Sequence, residues 1–120
     1  MMEDIRLNGR LLFDAKDYEE VAAICEKNAA DARQHPGVLE YSFWANGARD
    51  TIYIHEHYES ADALVNHLQN MDEAAVGRLL ELVQLGTMEC CTGPDPDPRV
   101  TETLGGFGVP INVYSPVASR

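Results

Sequence analysis

Three of the chain's four histidines, His55, His57 and His67, fall close together in the middle of the sequence, with an aromatic run just before them. Imidazole titrates near neutrality, so a histidine at the edge of a cavity can take a proton from a phenol or an enol. His67 comes three residues after Leu64 and one before Leu68, so it flanks the apolar stripe of a helix and is the candidate base. Spacing alone points more readily to a partly exposed helical histidine with no role. His55 and His57 share one strand face, the separation at which two imidazoles meet one metal, with Glu89 or Glu40 as a conceivable carboxylate. No spacing places a third ligand, so neither a metal nor any other cofactor is expected; the pair reads as lining of a polar cavity. Trp44, Tyr53 and Ser42 offer an aromatic wall with polar handles, suited to a flat hydroxylated ring. Arg10 could stabilise an anionic substrate or enolate, and Asn8 and Glu89 add polar contacts. Glu56 falls on the presumed core side and reads as a structural carboxylate. No phosphate-binding glycine loop and no G-x-S-x-G elbow occurs.

The elements that must hold these groups are legible from periodicity. Residues 5–13 alternate, with Ile5, Leu7, Gly9, Leu11 and Phe13 on one face and Asn8 and Arg10 on the other, as in a half-buried strand. Asp17 to Glu20 has capping-box spacing and opens a helix carrying Tyr18, Val21, Ala22, Cys25, Ala29 and Ala32, closed by His35-Pro36-Gly37. Strand-like runs 39–44 and 51–58 flank Asn46-Gly47, the dipeptide favoured by tight hairpins. A two-residue turn there pairs residue 45 with 48, sets Tyr41 against Ile52 and Leu39 against Ile54, and puts Glu40, Ser42, Trp44, Tyr53, His55 and His57 on the other face. A turn longer by two residues would keep the same parity. Ser60 and Asp72 are caps for two helical pieces within 60–84. Residues 85–92 return as a strand. Gly93 to Pro98 is a breaker, 99–106 a short helix, and Val109, Ile111 and Val113 a last strand that Pro110 confines to an edge.

This gives a domain over 1–92 and a C-terminal extension over 93–120. The order strand, helix, strand, strand, helix, strand is that of a ferredoxin-like α+β fold, an antiparallel βαββαβ sheet with helices on one face. The other face is too mixed for core and too aromatic for plain solvent surface. Face-to-face pairing of two sheets in a homodimer, enclosing a polar-aromatic cavity, is the expected solution.

Composition narrows the partners. Nine Lys+Arg against twenty Asp+Glu give a net charge of −11, which argues against a binder of phosphate backbones and against docking on anionic membranes. No apolar run approaches the ~20 residues of a membrane helix, and the start lacks a signal-peptide pattern, so a cytoplasmic location is expected. Cys25, Cys90 and the adjacent Cys91 are an odd count without C-x-x-C, and read as free, mostly buried thiols.

The stretch Glu56-His-Tyr58-Glu-Ser60-Ala-Asp-Ala63-Leu64-Val-Asn-His67-Leu68, with Pro36-Gly37 four residues before Tyr41, resembles the antibiotic biosynthesis monooxygenase family over roughly residues 5–92. The resemblance implies a dimeric α+β barrel and a range of activities: cofactor-free oxygenation of quinols and polyketide aromatics, haem degradation, and isomerisation of small metabolites. The haem-degrading pattern is not matched. Asn8 could fit its strand asparagine, but His67 lies near the place of its tryptophan, and 74–80 offers no histidine. The expected function is therefore cofactor-free monooxygenation of a quinol-like or polyphenolic molecule with His67 as base. The alternatives are a dimeric ligand-binding module and an isomerase of a small enolisable metabolite.

Overall fold

The computed structural model describes residues 4–118. The elements run β1 (Ile5–Leu12), α1 (Tyr18–Ala32), β2 (Val38–Ala45), β3 (Thr51–Tyr58), α2 (Ala61–Gln69), α3 (Glu73–Leu82), β4 (Gln84–Leu85), β5 (Met88–Cys91), α4 (Pro98–Gly105) and β6 (Ile111–Tyr114). Strand order is β2-β3-β1-β5-β6, with β4 also on β1, and every pairing is antiparallel except that of β6 with β5. This is the expected ferredoxin-like sheet, extended by one strand at its β5 edge.

Helix entry is only partly as the sequence suggests. Ser60 accepts from the Ala63 amide at 3.1 Å and Asp72 from the Ala75 amide at 3.0 Å, satisfying two of the orphan donors at those helix starts. The Asp17 capping box does not form. A 3-10 turn over Ala15–Asp17, capped by Asp14, precedes α1, Asp17 makes no side-chain cap bond, and Glu20 is held by Arg78 of α3 instead.

The β2–β3 hairpin is longer than the two-residue turn predicted. Asn46 and Thr51 close the loop, Ala45 faces Ile52, Phe43 faces Ile54 and Tyr41 faces Glu56. The Asn46 side-chain oxygen takes the Asp50 and Thr51 amides, and Arg49 adopts the left-handed φ of 58°. These bonds to Asn46 hold a wider loop than an Asn-Gly turn would. The slip is even, so face assignment survives, but Leu39 sits at a bulge, 51% exposed, and is not core.

The core lies between sheet and helices in two apolar clusters. One gathers Ile5, Leu7, Tyr58, Leu64 and Cys90 with Val100 and Leu104 of α4. The other gathers Leu11, Val21, Cys25, Ile52 and Leu79 under α1 and α3, ringed by half-buried Phe43, Ile54, Leu82 and Leu85. The C-terminal segment is thus built into the first cluster.

Candidate functional site

The predicted strand over 85–92 is interrupted. Leu11 pairs with Leu85 and Asn8 with Glu89, so Gly9 and Arg10 face three residues, Gly86, Thr87 and Met88. One extra residue on one strand is a β-bulge, and here the Gly86 amide still bonds the Arg10 carbonyl at 2.9 Å. Gly9 and Gly86 leave the sheet without side chains at this point, and a cleft forms on each face.

On the outer face the cleft holds about 300 Å³, between Asn8, Arg10, Leu12, Tyr53, Thr87 and Glu89. Four predicted site residues, Asn8, Arg10, Tyr53 and Glu89, therefore meet. Glu89 accepts from the Tyr114 hydroxyl at 2.7 Å, which ties β6 to this wall. The other four lie further along the same face. Trp44 Nε1 donates to Ser42 Oγ at 3.0 Å, and Ser42 donates to Glu40 at 2.7 Å. The His55 ring meets Tyr53 and Trp44 edge to face, with centroids 4.7 and 6.5 Å apart. His57 contacts Asp4 at 3.1 Å. Among the described residues no three His, Cys, Asp or Glu are grouped to hold a metal.

His67 is not with them. Expected at the rim of the helix stripe, it is 1% exposed on the helix side of the sheet, so the strands stand between it and the outer-face residues. The physical reason is that α2 buries Ala61, Ala63, Leu64 and His67 against β2 and β3, a stripe set one position from the one predicted. Its Nδ1 lies 2.7 Å from Nδ1 of His35, and its ring packs on Tyr41 and Tyr58 with centroids 4.6 and 5.8 Å away. Its Nε2 is buried with no hydrogen-bond partner among the described residues. Burial, with His35 adding repulsion, pushes its pKa down to about 4, so the ring is neutral at physiological pH.

Glu56 continues this polar seam between the two apolar clusters. The Tyr58 hydroxyl donates to Glu56 Oε1. Enclosure by protein pushes the Glu56 carboxyl up to about 7, against the opposing pull of the Tyr58 bond. Burial likewise raises Tyr41 and Tyr58 well above the usual phenol value, the negative charge of Glu56 adding to it in both. Glu56 also lines a notch of about 30 Å³ with Leu7, Gly9, Ile54, Leu85, Gly86 and Met88, on the helix side of the bulge. Strand parity in the sequence puts Tyr41 and Glu56 on this face. His35 carried no sequence signal, because it lies in a turn where periodicity says nothing.

A mixed sheet with helices on one face and a polar seam beneath them defines an α+β domain of the ferredoxin-like class. The chain belongs to the antibiotic biosynthesis monooxygenase family, whose model matches residues 5–76. No curated protein matches it. Among solved structures, MupZ from Pseudomonas fluorescens is similar over 100% of this chain and 91% of its own, with a TM-score of 0.82 and 21% identity. SnoaB, a cofactor-independent oxygenase from Streptomyces nogalater solved as its N63A mutant, matches at TM-score 0.64 and 13% identity, covering 80% of this chain and 98% of its own. Rv0793 from Mycobacterium tuberculosis matches at TM-score 0.64 and 14% identity over 79% of this chain and 98% of its own. The likeness to MupZ therefore extends through the C-terminal segment.

Proposed function

We propose that this protein is a cofactor-free monooxygenase of a quinol-like or polyphenolic small molecule, with the helix side of the sheet as its reaction centre and His67 as its base. The observation that carries this reading is His67 itself: neutral, enclosed by Tyr41 and Tyr58, with Nε2 unpartnered among the described residues. A buried polar atom without a partner is costly, and a substrate hydroxyl would relieve that cost. When His67 Nδ1–H donates to His35, Nε2 is the free acceptor. Proton loss to Nε2 leaves a substrate anion, which can pass an electron to dioxygen; one oxygen atom then enters the product and the other leaves as water. Phe43, Ile54 and Leu82, half-buried on the second cluster, would have to open to form the apolar side of the site for the ring. Family membership and the fold shared with SnoaB support the reaction class.

The test is oxygen uptake by metal-stripped protein with hydroquinones and polyphenols, wild type against His67→Asn. Chelator-resistant uptake that falls at least about 100-fold in the variant, with melting temperature retained, is expected for a general base. Uptake unchanged in the variant removes His67 from the chemistry.

The outer cleft supports a second reading, binding of a small aromatic or enolisable metabolite without turnover, or its isomerisation. Here Arg10 and Tyr53 would hold the ligand, and Arg10→Ala would abolish binding. The same face suits a second copy of the chain. Trp44 is 61% exposed, Tyr114 49%, Leu12 38% and Tyr53 37%, a run of apolar surface at odds with an isolated domain. A homodimer by sedimentation, dissociated by Trp44→Asp, is the expected outcome.

A further inference from the structure

We propose that Glu56, in its neutral form, is the hydrogen-bond donor of an oxyanion notch: it binds, from the helix side of the sheet, the oxygen of a ligand that carries or gains negative charge, such as a phenolate or an enolate. This rests on the reading of the helix side as the reaction centre and names the group that receives the charge.

Three observations carry it. First, the notch is real and sized for an oxygen. At about 30 Å³ it holds one water-sized atom, and it exists because Gly9 contributes no side chain beside Glu56's cross-strand partner Leu7. A Cβ on Gly9 would find nothing nearer than Met88 Cγ at 4.0 Å, so the space is open rather than packed shut. Second, Glu56 has a hydrogen-bond donor and no cation. Among the described residues no Lys or Arg forms an ion pair with it, and the Tyr58 hydroxyl donates to its Oε1. With Oε1 serving as acceptor, the neutral acid carries its proton on Oε2, free to donate. Third, most of the notch wall is apolar, with Leu7, Leu11, Ile54, Leu85 and Met88, while Asn8 and Arg10 of β1 add polar groups at its rim. In such surroundings a neutral carboxylic acid outcompetes a carboxylate, and a hydrogen bond to an anion gains strength.

The titratable groups around Glu56 are Tyr58 on its own strand, Tyr41 across on β2, Cys90 on β5 and Arg10 of β1 at the rim, with His67 of α2 packed on the two tyrosines and Cys25 of α1 behind Tyr41. Burial raises both phenols and pushes the Cys90 and Cys25 thiols to about 11 and about 12, while it lowers His67 to about 4. Between pH 6 and 9 these two phenols, two thiols and the imidazole stay neutral. Glu56, pushed up to about 7, is the group of this set that changes charge in that interval. Below its midpoint it donates to an anion; above it, a carboxylate repels one.

Calorimetric binding of 3,4-dinitrophenol, which is ionised throughout pH 6.5–8.5, tests this on the intact protein without turnover. Affinity should fall about 20-fold from pH 6.5 to 8.5, the ratio expected for one competing ionisation near 7. Glu56→Gln, a neutral isostere, should bind more weakly at pH 6.5 and show no pH dependence. Tyr58→Phe removes the bond that holds the Glu56 carboxyl down, and should move the midpoint to higher pH. No binding at pH 6.5, a wild-type affinity flat with pH, or a pH dependence that survives in Glu56→Gln overturns the proposal. The oxygenase reading fails separately. Glu56-dependent phenolate binding without His67-dependent oxygen uptake sinks that reading alone; His67-dependent uptake with pH-flat binding sinks this one alone.

Discussion

The seam's two titrating side chains pull stability in opposite directions along the pH scale. His67 is neutral when folded and has a pKa of about 4, below the ordinary 6.5. The unfolded chain therefore takes up a proton first as pH falls. The stability tied to neutral His67 is complete above about 6.5 and is lost progressively down to about 4. Glu56 is the reverse case, with its folded pKa raised from 4.5 to about 7. The unfolded carboxyl ionises freely while the folded one resists, so stability declines as pH rises from 4.5 through about 7. Glu56→Gln should accordingly raise the melting temperature at pH 8 and change it little at pH 4.5. The gain is at most about 3 kcal/mol, reduced by whatever the open notch screens. Thermal scans at the two pH values read it directly, and a variant less stable at pH 8 would contradict the burial of this carboxyl. His67→Asn should flatten the acid limb between pH 6 and 4.

Among the elements, the glycines at the bulge and at the α1–β2 turn are sensitive in different ways. Gly37 has φ +80°, and a Cβ there would lie 2.6 Å from the Ala63 Cβ and 3.0 Å from Glu59. Both backbone and neighbours resist a side chain, so Gly37→Ala should cost more than about 2 kcal/mol by denaturant titration. That turn also presents His35 to His67, so the variant should lose the neutral-histidine pH limb as well. Gly9 carries no such strain. Gly9→Val should fold, because a strand favours a branched residue, yet it should close the notch and weaken phenolate binding at least tenfold. The caps are of the ordinary kind: Ser60→Ala and Asp72→Ala should each cost about 1 kcal/mol.

For the whole molecule, the C-terminal segment is the part whose role differs most from a simple appendage. The sequence suggests an edge strand, and β6 is one, but it pairs in parallel with β5 of its own chain. Val100 and Leu104 of α4 are 0% and 1% exposed, packed with Ile5, Leu7, Tyr58 and Leu64. Truncation after Asp97 should therefore unfold half the core rather than merely loosen an assembly. Leu104→Ala should cost about 2–5 kcal/mol, measurable by urea titration. Arg99, bound to Asp97 and Asp62 at 2.8 and 2.7 Å, lies at the surface of this contact, where Arg99→Ala should cost under about 1 kcal/mol.

The order of elements, the two caps at Ser60 and Asp72, and the division of the sheet into an apolar and a mixed face are properties of the sequence by itself. These three are written in local spacing, an alternation of two in the strands and a cap oxygen followed by a helical stripe, and the net charge of −11 opposes polyanionic surfaces such as phosphate backbones and anionic membranes. Even the lengthened hairpin kept the face assignment, because an even slip cannot exchange the faces of a strand. The grouping of the site was decided only by tertiary structure. His67 and Asn8 look alike as polar residues beside an apolar stripe, but a helix can roll by a fraction of a turn, and that roll puts His67 under the sheet with His35, Tyr41 and Tyr58. Glu56 reads as a structural carboxylate until the bulge opposite Gly9 opens a notch beside it. Both depend on contacts between residues distant in the chain, where depth of burial sets the cost of charge, and no local spacing encodes that depth.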